Sequence, residues 1–120
     1  MYEITVESEL KITNVPWNSN LSDSNSHAFI EMKIQVEKEL DKAFCKKSIV
    51  ENGVSKGCHV EVFGFSEGSV NVWFQINEVT ELVGDNMPTD AQTLSNMQQS
   101  LALGGLGNYA VNQSSVTISK

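Results

Sequence analysis

The chain has 120 residues and a mass of 13.2 kDa, enough for one ordinary domain with its own core, and we expect a single domain over residues 1–120. Eight basic residues, all lysine, stand against fifteen acidic ones and give a formal net charge of −7. Nucleic acids and anionic membrane surfaces bind basic patches, usually with arginine, so the charge argues against both as partners. No apolar run approaches the ~20 residues that cross a bilayer, so we expect no membrane insertion by this segment.

The first half of the chain predicts a strand followed by a helix. Residues Tyr2–Ile12 alternate between apolar and polar side chains, with a bulge near Ser8–Glu9. The polar stretch Asn18–Asn25 follows, and Ser24 or Ser26 can cap a helix. One apolar stripe recurs at three- and four-residue steps: Phe29, Met32, Val36, Leu40 and Ala43 or Phe44. The charged residues on the other faces are interpreted as solvated surface: Lys33, Glu37, Lys38, Asp41 and Lys42.

The centre of the chain predicts a β-hairpin. In its first strand Cys58, Val60 and Val62 alternate with His59, Glu61 and Phe63. In its second strand Val70, Val72, Phe74 and Ile76 face one way, and Ser69, Asn71, Trp73, Gln75 and Asn77 face the other. We expect the turn near Ser66–Glu67. Phe63, Phe65 and Trp73 then lie on the outer face, where we expect partial burial under a Val79–Met87 connection; a partner or homodimer surface is the alternative.

The last third of the chain predicts a second helix and a final strand. Thr89 and Gln92 form a capping box after Pro88, and Gly104-Gly105 ends the helix. Its apolar stripe is Leu94, Met97 and Leu101, and the strand covers about Tyr109–Ser119. The order β-α-β-β-α-β predicts an α+β fold of the ferredoxin-like type, a four-stranded antiparallel sheet with both helices on one face.

The two cysteines and two glycosylation sequons bear on the compartment. Cys45 and Cys58 either form a disulfide, which would close a loop of about 14 residues and add roughly 3 kcal/mol, or remain free thiols of a cytosolic protein. The candidate glycosylation sites are Asn20 and Asn112, which favour an extracellular setting. The cysteines and histidines lack the number and spacing of a zinc site, so we expect no metal and no cofactor.

A serine after glycine, Ser69 after Gly68, is the candidate for chemistry. This fold also hosts RNA readers and acylphosphatases, but the strand that follows lacks the basic residues both need. His59 would lie about five strand steps away, roughly 16 Å, whereas a general base must come within about 3 Å. His27 is interpreted as a solvated or capping residue. We therefore do not expect an ordinary serine hydrolase.

Two stretches of the sequence resemble a known family. The first runs from Ile12-Thr13-Asn14 through Trp17, Leu21-Ser22-Asp23, Ser26 and Phe29 into the first helix. The second reads Phe65-Ser66-Glu67-Gly68-Ser69-Val70-Asn71-Val72. Together they resemble the SEA domain, an extracellular module of membrane mucins, agrin, enteropeptidase-like proteases and adhesion receptors. The second stretch resembles the family's self-cleavage motif, a Phe followed after two residues by Gly-Ser-Val-Val-Val.

The resemblance implies that the chain breaks its own backbone between Gly68 and Ser69 without a trans-acting activity. The Ser69 hydroxyl would attack the Gly68 carbonyl, an N→O acyl shift would give an ester, and water would hydrolyse it. The two fragments would stay paired as a non-covalent heterodimer at the cell surface, within a larger, transmembrane protein, and could be separated by force. Other partners would be glycans or neighbouring ectodomains.

Asn71 stands where the family motif has valine, and it leaves a second interpretation open. Because Asn71 alternates with Val70 and Val72, it should face away from the core, so the substitution bears on cleavage and not on the fold. A non-cleaving SEA-like spacer or interaction module is therefore the alternative. A cytosolic ferredoxin-like sensor, with free thiols, is a third interpretation.

Overall fold

A computed structural model describes residues 2–45, 53–82 and 89–119. The strands are β1 (Tyr2–Ile12), β2 (Gly53–Glu67), β3 (Val70–Leu82) and β4 (Val111–Ser119); the helices are α1 (His27–Phe44) and α2 (Asp90–Gly104), with a 3-10 turn at Ser19–Ser22. The sheet has the order β2-β3-β1-β4, and each neighbouring pair is antiparallel. This is the predicted ferredoxin-like βαββαβ arrangement. Strands β2 and β4 lie at the edges of the sheet, and β3 and β1 lie at its centre.

The core forms between the sheet and the helices, where the apolar side chains of the strands pack against the apolar stripes of the helices. Along β3, Val70, Val72, Phe74 and Ile76 are at most 1% exposed, as the period of two requires. The predicted stripe of α1 is buried against them, and the Phe44 ring stacks on Phe74 with centroids 5.9 Å apart. From α2, Met97 and Leu101 complete the same cluster. Burial of side chains of this size contributes roughly 1.5–3 kcal/mol each.

Both helices begin at the residues that the sequence favoured. The Ser26 hydroxyl accepts a hydrogen bond from the Phe29 amide at 3.1 Å and donates one to the Asn20 carbonyl at 2.6 Å. At α2 the capping box is present, since the Gln92 amide donates to Thr89 Oγ1 and the Thr89 amide donates to Gln92 Oε1. Each such cap is worth about 1 kcal/mol, and Gly105 ends α2 as expected.

A bulge in β2 overturns the predicted position of Phe65. The register of β2 against β3 shifts between Val62 and Gly64, so the alternation changes phase there. Phe65 is consequently 6% exposed and packs edge-on against Phe29 of α1, with ring centroids 5.4 Å apart. It belongs to the core and not to the outer face.

The predicted bulge in β1 is present where β1 pairs with β4, but not where it pairs with β3. The β1–β3 register is continuous, whereas the β1–β4 register shifts between Glu9 and Lys11, slightly beyond the expected Ser8–Glu9. There the Lys11 amide donates to the Ser115 hydroxyl at 2.9 Å. A serine side chain thus contributes a bond between β1 and β4 at the bulge.

The outer face of the sheet keeps two large aromatic side chains exposed, Phe63 at 51% and Trp73 at 46%. The expected cover is wrong in part, because Val79–Leu82 continues β3 instead of starting the connection. The remainder of that connection, 83–88, lies outside the described residues. Trp73 rests on the strand beside it, where its Cε3 would lie 4.0 Å from a Cβ at Gly64.

Candidate cleavage site at the β2–β3 turn

The hairpin turn consists of the two residues Gly68 and Ser69. Glu67 pairs with Val70, so the candidate scissile bond is the central peptide of the turn. The predicted turn position near Ser66–Glu67 is therefore wrong by two residues. The error lies in where the first strand of the hairpin ends, because β2 continues to Glu67 instead of ending before Ser66.

Both turn residues have positive φ, +131° at Gly68 and +52° at Ser69. Positive φ at both positions of a two-residue loop matches the twist of the flanking strands. Glycine accepts this without cost, whereas an L-residue pays roughly 1–2 kcal/mol. Among the residues that the structure describes, Ser69 is the one non-glycine residue in this state. The backbone strain of the described chain is therefore located on the serine of the candidate cleavage motif.

The strands on either side hold the turn firmly. Phe65 is 6% exposed, and Val70 and Val72 are fully buried. Ser69 itself is exposed and Gly68 half-buried, so water reaches the peptide between them. The site thus combines a fixed frame with a solvent-accessible bond.

Asn71 lies on the outer face, as predicted, and its side chain folds back over the turn. Its Nδ2 donates a hydrogen bond to the Glu67 carbonyl at 3.2 Å. A Cβ added at Gly68 would meet the same Nδ2 at 3.0 Å, so the amide lies directly against the turn glycine. The sequence indicated the face of Asn71 but gave no sign of this contact.

Neither histidine of the chain can serve Ser69 as a base. His59 pairs with Asn77, eight residues along β3 from Ser69, so it lies roughly 26 Å from Ser69 at about 3.3 Å per residue, farther than the roughly 16 Å expected. His27 is at the start of α1 with its Nε2 3.3 Å from Glu31. A reaction at Ser69 therefore has no histidine to draw on.

Comparison with known protein families shows which family has this fold and this turn. The profile of the SEA domain matches residues 4–111, most of the chain, including the turn and its flanking strands. The chain belongs to the SEA domain family. SEA domains are extracellular modules. The comparison with curated proteins gave no match.

In this SEA domain Cys45 and Cys58 form a disulfide that joins the end of α1 to β2, with Cα atoms 5.5 Å apart. The sequence had left free thiols open as the alternative, and the structure excludes it. Both cysteines precede Gly68, so the crosslink lies entirely on the amino-terminal side of the turn. In the described part of the chain, neither helix is long and apolar enough to span a bilayer.

Glu37 joins helix α1 to strand β2 of the SEA domain, a contact that the sequence did not indicate. Its Oε2 accepts hydrogen bonds from the Val62 amide at 2.8 Å and from Lys33 Nζ at 2.7 Å. The side chain is only 23% exposed, so its interpretation as solvated surface was wrong. Helical periodicity gives the face of a residue but not how far a long side chain reaches. The bond satisfies a backbone donor of an edge strand at its bulge.

The two sequon asparagines, Asn20 and Asn112, are exposed, one in the 3-10 turn and one at the start of β4. Within the first sequon, Leu21 is 4% exposed and anchors the turn to the core, which directs its neighbours outwards. Exposure of this kind is what an attached glycan requires.

A shallow cavity of about 660 Å³ separates the segment after β1 from α1. Trp17, Met32 and Tyr109 are among the residues that line it. The Tyr109 hydroxyl donates to Gln35 Oε1 at 3.0 Å. Burial raises the pKa of Tyr109, and the carboxylates of Glu39 and Glu31 raise it further. Trp17 of the family resemblance packs against the core here, so its role is structural.

Proposed function

We propose that this SEA domain cleaves its own backbone between Gly68 and Ser69 and so acts, at the cell surface, as a joint that separates under tension. The observation that carries the proposal is the positive φ of Ser69, +52°, in a two-residue turn between buried strand residues. The match to the SEA family gives the motif its context.

The chemistry needs only the serine, the glycine carbonyl and water. Ser69 Oγ adds to the Gly68 carbonyl carbon, the C–N bond breaks, and the hydroxyl proton ends on the new amine. The result is an ester of Gly68 on Ser69. Water then adds to that ester, giving a Gly68 carboxylate and restoring the Ser69 hydroxyl. No side-chain base is required when the strain of the turn lowers the barrier.

Strain accelerates the reaction to the extent that it is relieved in the transition state. A planar amide is inert because resonance stabilises it, and bending or twisting the peptide costs that resonance. If about 5 kcal/mol were relieved, the rate would rise roughly four-thousandfold. A positive φ at serine supplies about 1–2 kcal/mol of this, and the packing of the flanking strands can hold the remainder in the peptide itself.

The fragments would interleave after cleavage. The first would contain β1, α1 and β2, and the second β3, α2 and β4. In the sheet, β3 lies between β2 and β1, so the second fragment is paired on both sides with the first. Because the Cys45–Cys58 disulfide is internal to the first fragment, no covalent bond would connect the two. They would remain one particle at rest.

The strand directions determine how the paired fragments would respond to a force that pulls on the two ends of the domain. Ser119 at the end of β4 lies opposite Glu7, and Tyr2 lies further towards the same end of the sheet. Leu82, where β3 ends, is at that end too, since Thr80 pairs with Tyr2. Tension between the two ends of the domain therefore loads the β1–β4 and β1–β3 ladders at their open ends. Hydrogen bonds loaded in this way break in succession and not all at once.

An extracellular position agrees with the disulfide, which persists in oxidising compartments, and with exposed sequons. We propose that Asn20 and Asn112 carry glycans, and that glycans or neighbouring ectodomains are the other partners. The non-cleaving spacer remains the second candidate function, favoured by the hydrogen bond that Asn71 adds to the intact turn.

Denaturing electrophoresis and intact-mass analysis test the proposal. The unmodified protein should give two chains, Met1–Gly68 and Ser69–Lys120, whose summed mass exceeds the intact chain by one water. Ser69→Ala should give a single chain. Ser66→Ala, which changes a serine three residues away, should cleave like the unmodified protein. A single intact chain from the unmodified, folded protein after long incubation would leave only the spacer function.

A further inference from the structure

The side chain of Asn71 lies against the turn at Glu67 and Gly68. Its Nδ2 donates to the carbonyl of Glu67, at 3.2 Å, and lies where a Cβ on Gly68 would approach to 3.0 Å. The Glu67 carbonyl belongs to the peptide immediately before the candidate scissile bond. Asn71 thus supplements the Glu67–Val70 pair with an additional bond on the outer face of the turn.

This bond is made to the intact, resting turn. Attack by Ser69 Oγ requires the Gly68 carbonyl to leave its plane and the turn to close into a five-membered ring. A contact that stabilises the resting state and is weakened in the transition state raises the barrier. We infer that Asn71 slows cleavage as a positioning residue that holds the turn in its resting geometry. This inference rests on the proposed function and adds its regulation: the rate is set from a side chain outside the scissile bond.

The size of the effect follows from the strength of one partly exposed hydrogen bond. Losing such a bond from the resting state alone should speed cleavage about 2- to 10-fold. The fold itself should not depend on Asn71, because the core residues Val70 and Val72 on either side of it point the other way.

Two substitutions distinguish the effect of the Asn71–Glu67 hydrogen bond from the effect of the shape of the Asn71 side chain. Asn71→Asp is nearly isosteric but has no donor for the Glu67 carbonyl, and Asn71→Val removes the polar group altogether. Gln75→Val is the matched control, because Gln75 lies on the same strand and face but donates to Asn77 instead, at 2.8 Å. The rate is measured as loss of the full-length band after refolding from denaturant.

We expect both Asn71 variants to cleave about 2- to 10-fold faster than the unmodified protein, and Gln75→Val to cleave at the unmodified rate. An unmodified protein that stays intact while both Asn71 variants cleave would overturn the proposed function and still support the role of Asn71. Cleavage of the unmodified protein with both Asn71 variants equally fast or slower overturns the role of Asn71 and leaves the proposed function intact. Absence of cleavage in every variant overturns both.

A second readout separates slowing of the reaction from simple stabilisation of the fold. In the Ser69→Ala background, Asn71→Val should increase amide exchange at the turn and leave exchange in the Val72–Ile76 core unchanged. If the core loosens equally, Asn71 contributes to the fold as a whole and the inference is wrong.

Discussion

The parts of the molecule before and after the Gly68–Ser69 bond are held together in different ways. Before it, the Cys45–Cys58 disulfide and the Glu37–Val62 bond join α1 to β2. After it, β3 has no crosslink and depends on ladders to β1 and β2 and on its buried face. Covalent reinforcement thus lies on one side of the candidate cut, and apart from the Gly68–Ser69 peptide bond no covalent link joins the two sides.

The largest effect is expected from removing the aromatic stack that joins the part before the bond to the part after it. Phe74 of β3 is 1% exposed and stacks on Phe44 of α1. Phe74→Ala should lower the free energy of unfolding by about 3–5 kcal/mol, measured by denaturant titration in the Ser69→Ala background. Trp73→Ala, on the opposite face and 46% exposed, is the control and should cost far less. Equal losses would mean that the core face of β3 is not what holds the parts together.

Reduction of the disulfide should weaken one part without opening the joint. Replacing Cys45 and Cys58 by alanine should lower the free energy of unfolding by about 3 kcal/mol through the entropy of the unfolded loop. The cleaved protein should nevertheless elute as one complex in size-exclusion chromatography under reducing conditions. Release of the carboxy-terminal fragment by reductant alone would show that the joint depends on the disulfide, contrary to this expectation.

The contact between α1 and the bulge of β2 offers a smaller test. Glu37→Gln weakens the acceptor of the Val62 amide and should cost about 1–2 kcal/mol of unfolding free energy by thermal or chemical denaturation. Lys33→Gln removes the ion pair but keeps the amide bond, and should cost at most about 0.5 kcal/mol. If both cost the same, the backbone bond contributes nothing beyond the surface pair.

The smallest effect concerns Tyr109, whose pKa the fold raises. The unfolded chain ionises this phenol near pH 10, and the folded chain does so only at higher pH. Stability is therefore fully present below pH 10 and falls as the pH rises from that value through the folded pKa. Tyr109→Phe should flatten this part of the profile of unfolding free energy against pH. An unchanged slope would show that Tyr109 titrates alike in both states.

Local signals in the sequence predicted most of the architecture. Ser26 and the Thr89–Gln92 pair mark helix starts by their own chemistry, and the alternation from Val70 to Ile76 marks a half-buried strand. Gly68 and Ser69 were found through the motif. The conformation of Ser69 was not predictable, because φ in a turn depends on the register of the strands that it connects.

The errors had a common cause in long-range pairing. A bulge changes the phase of a strand without changing its composition, so Phe65 appeared to face outwards. Gly64, a glycine within an otherwise strand-like stretch, is the signal that could have indicated it. The Glu37–Val62 and Asn71–Glu67 bonds join backbone to side chains whose partners are set by tertiary structure and hairpin register.

The most direct test of the central claim is the mass of the unmodified protein refolded with and without hydroxylamine. The account predicts two chains in either case, with the Met1–Gly68 fragment carrying a hydroxamate at Gly68 when hydroxylamine intercepts the ester. One unbroken chain in both samples, from protein that has folded and formed its disulfide, would contradict it.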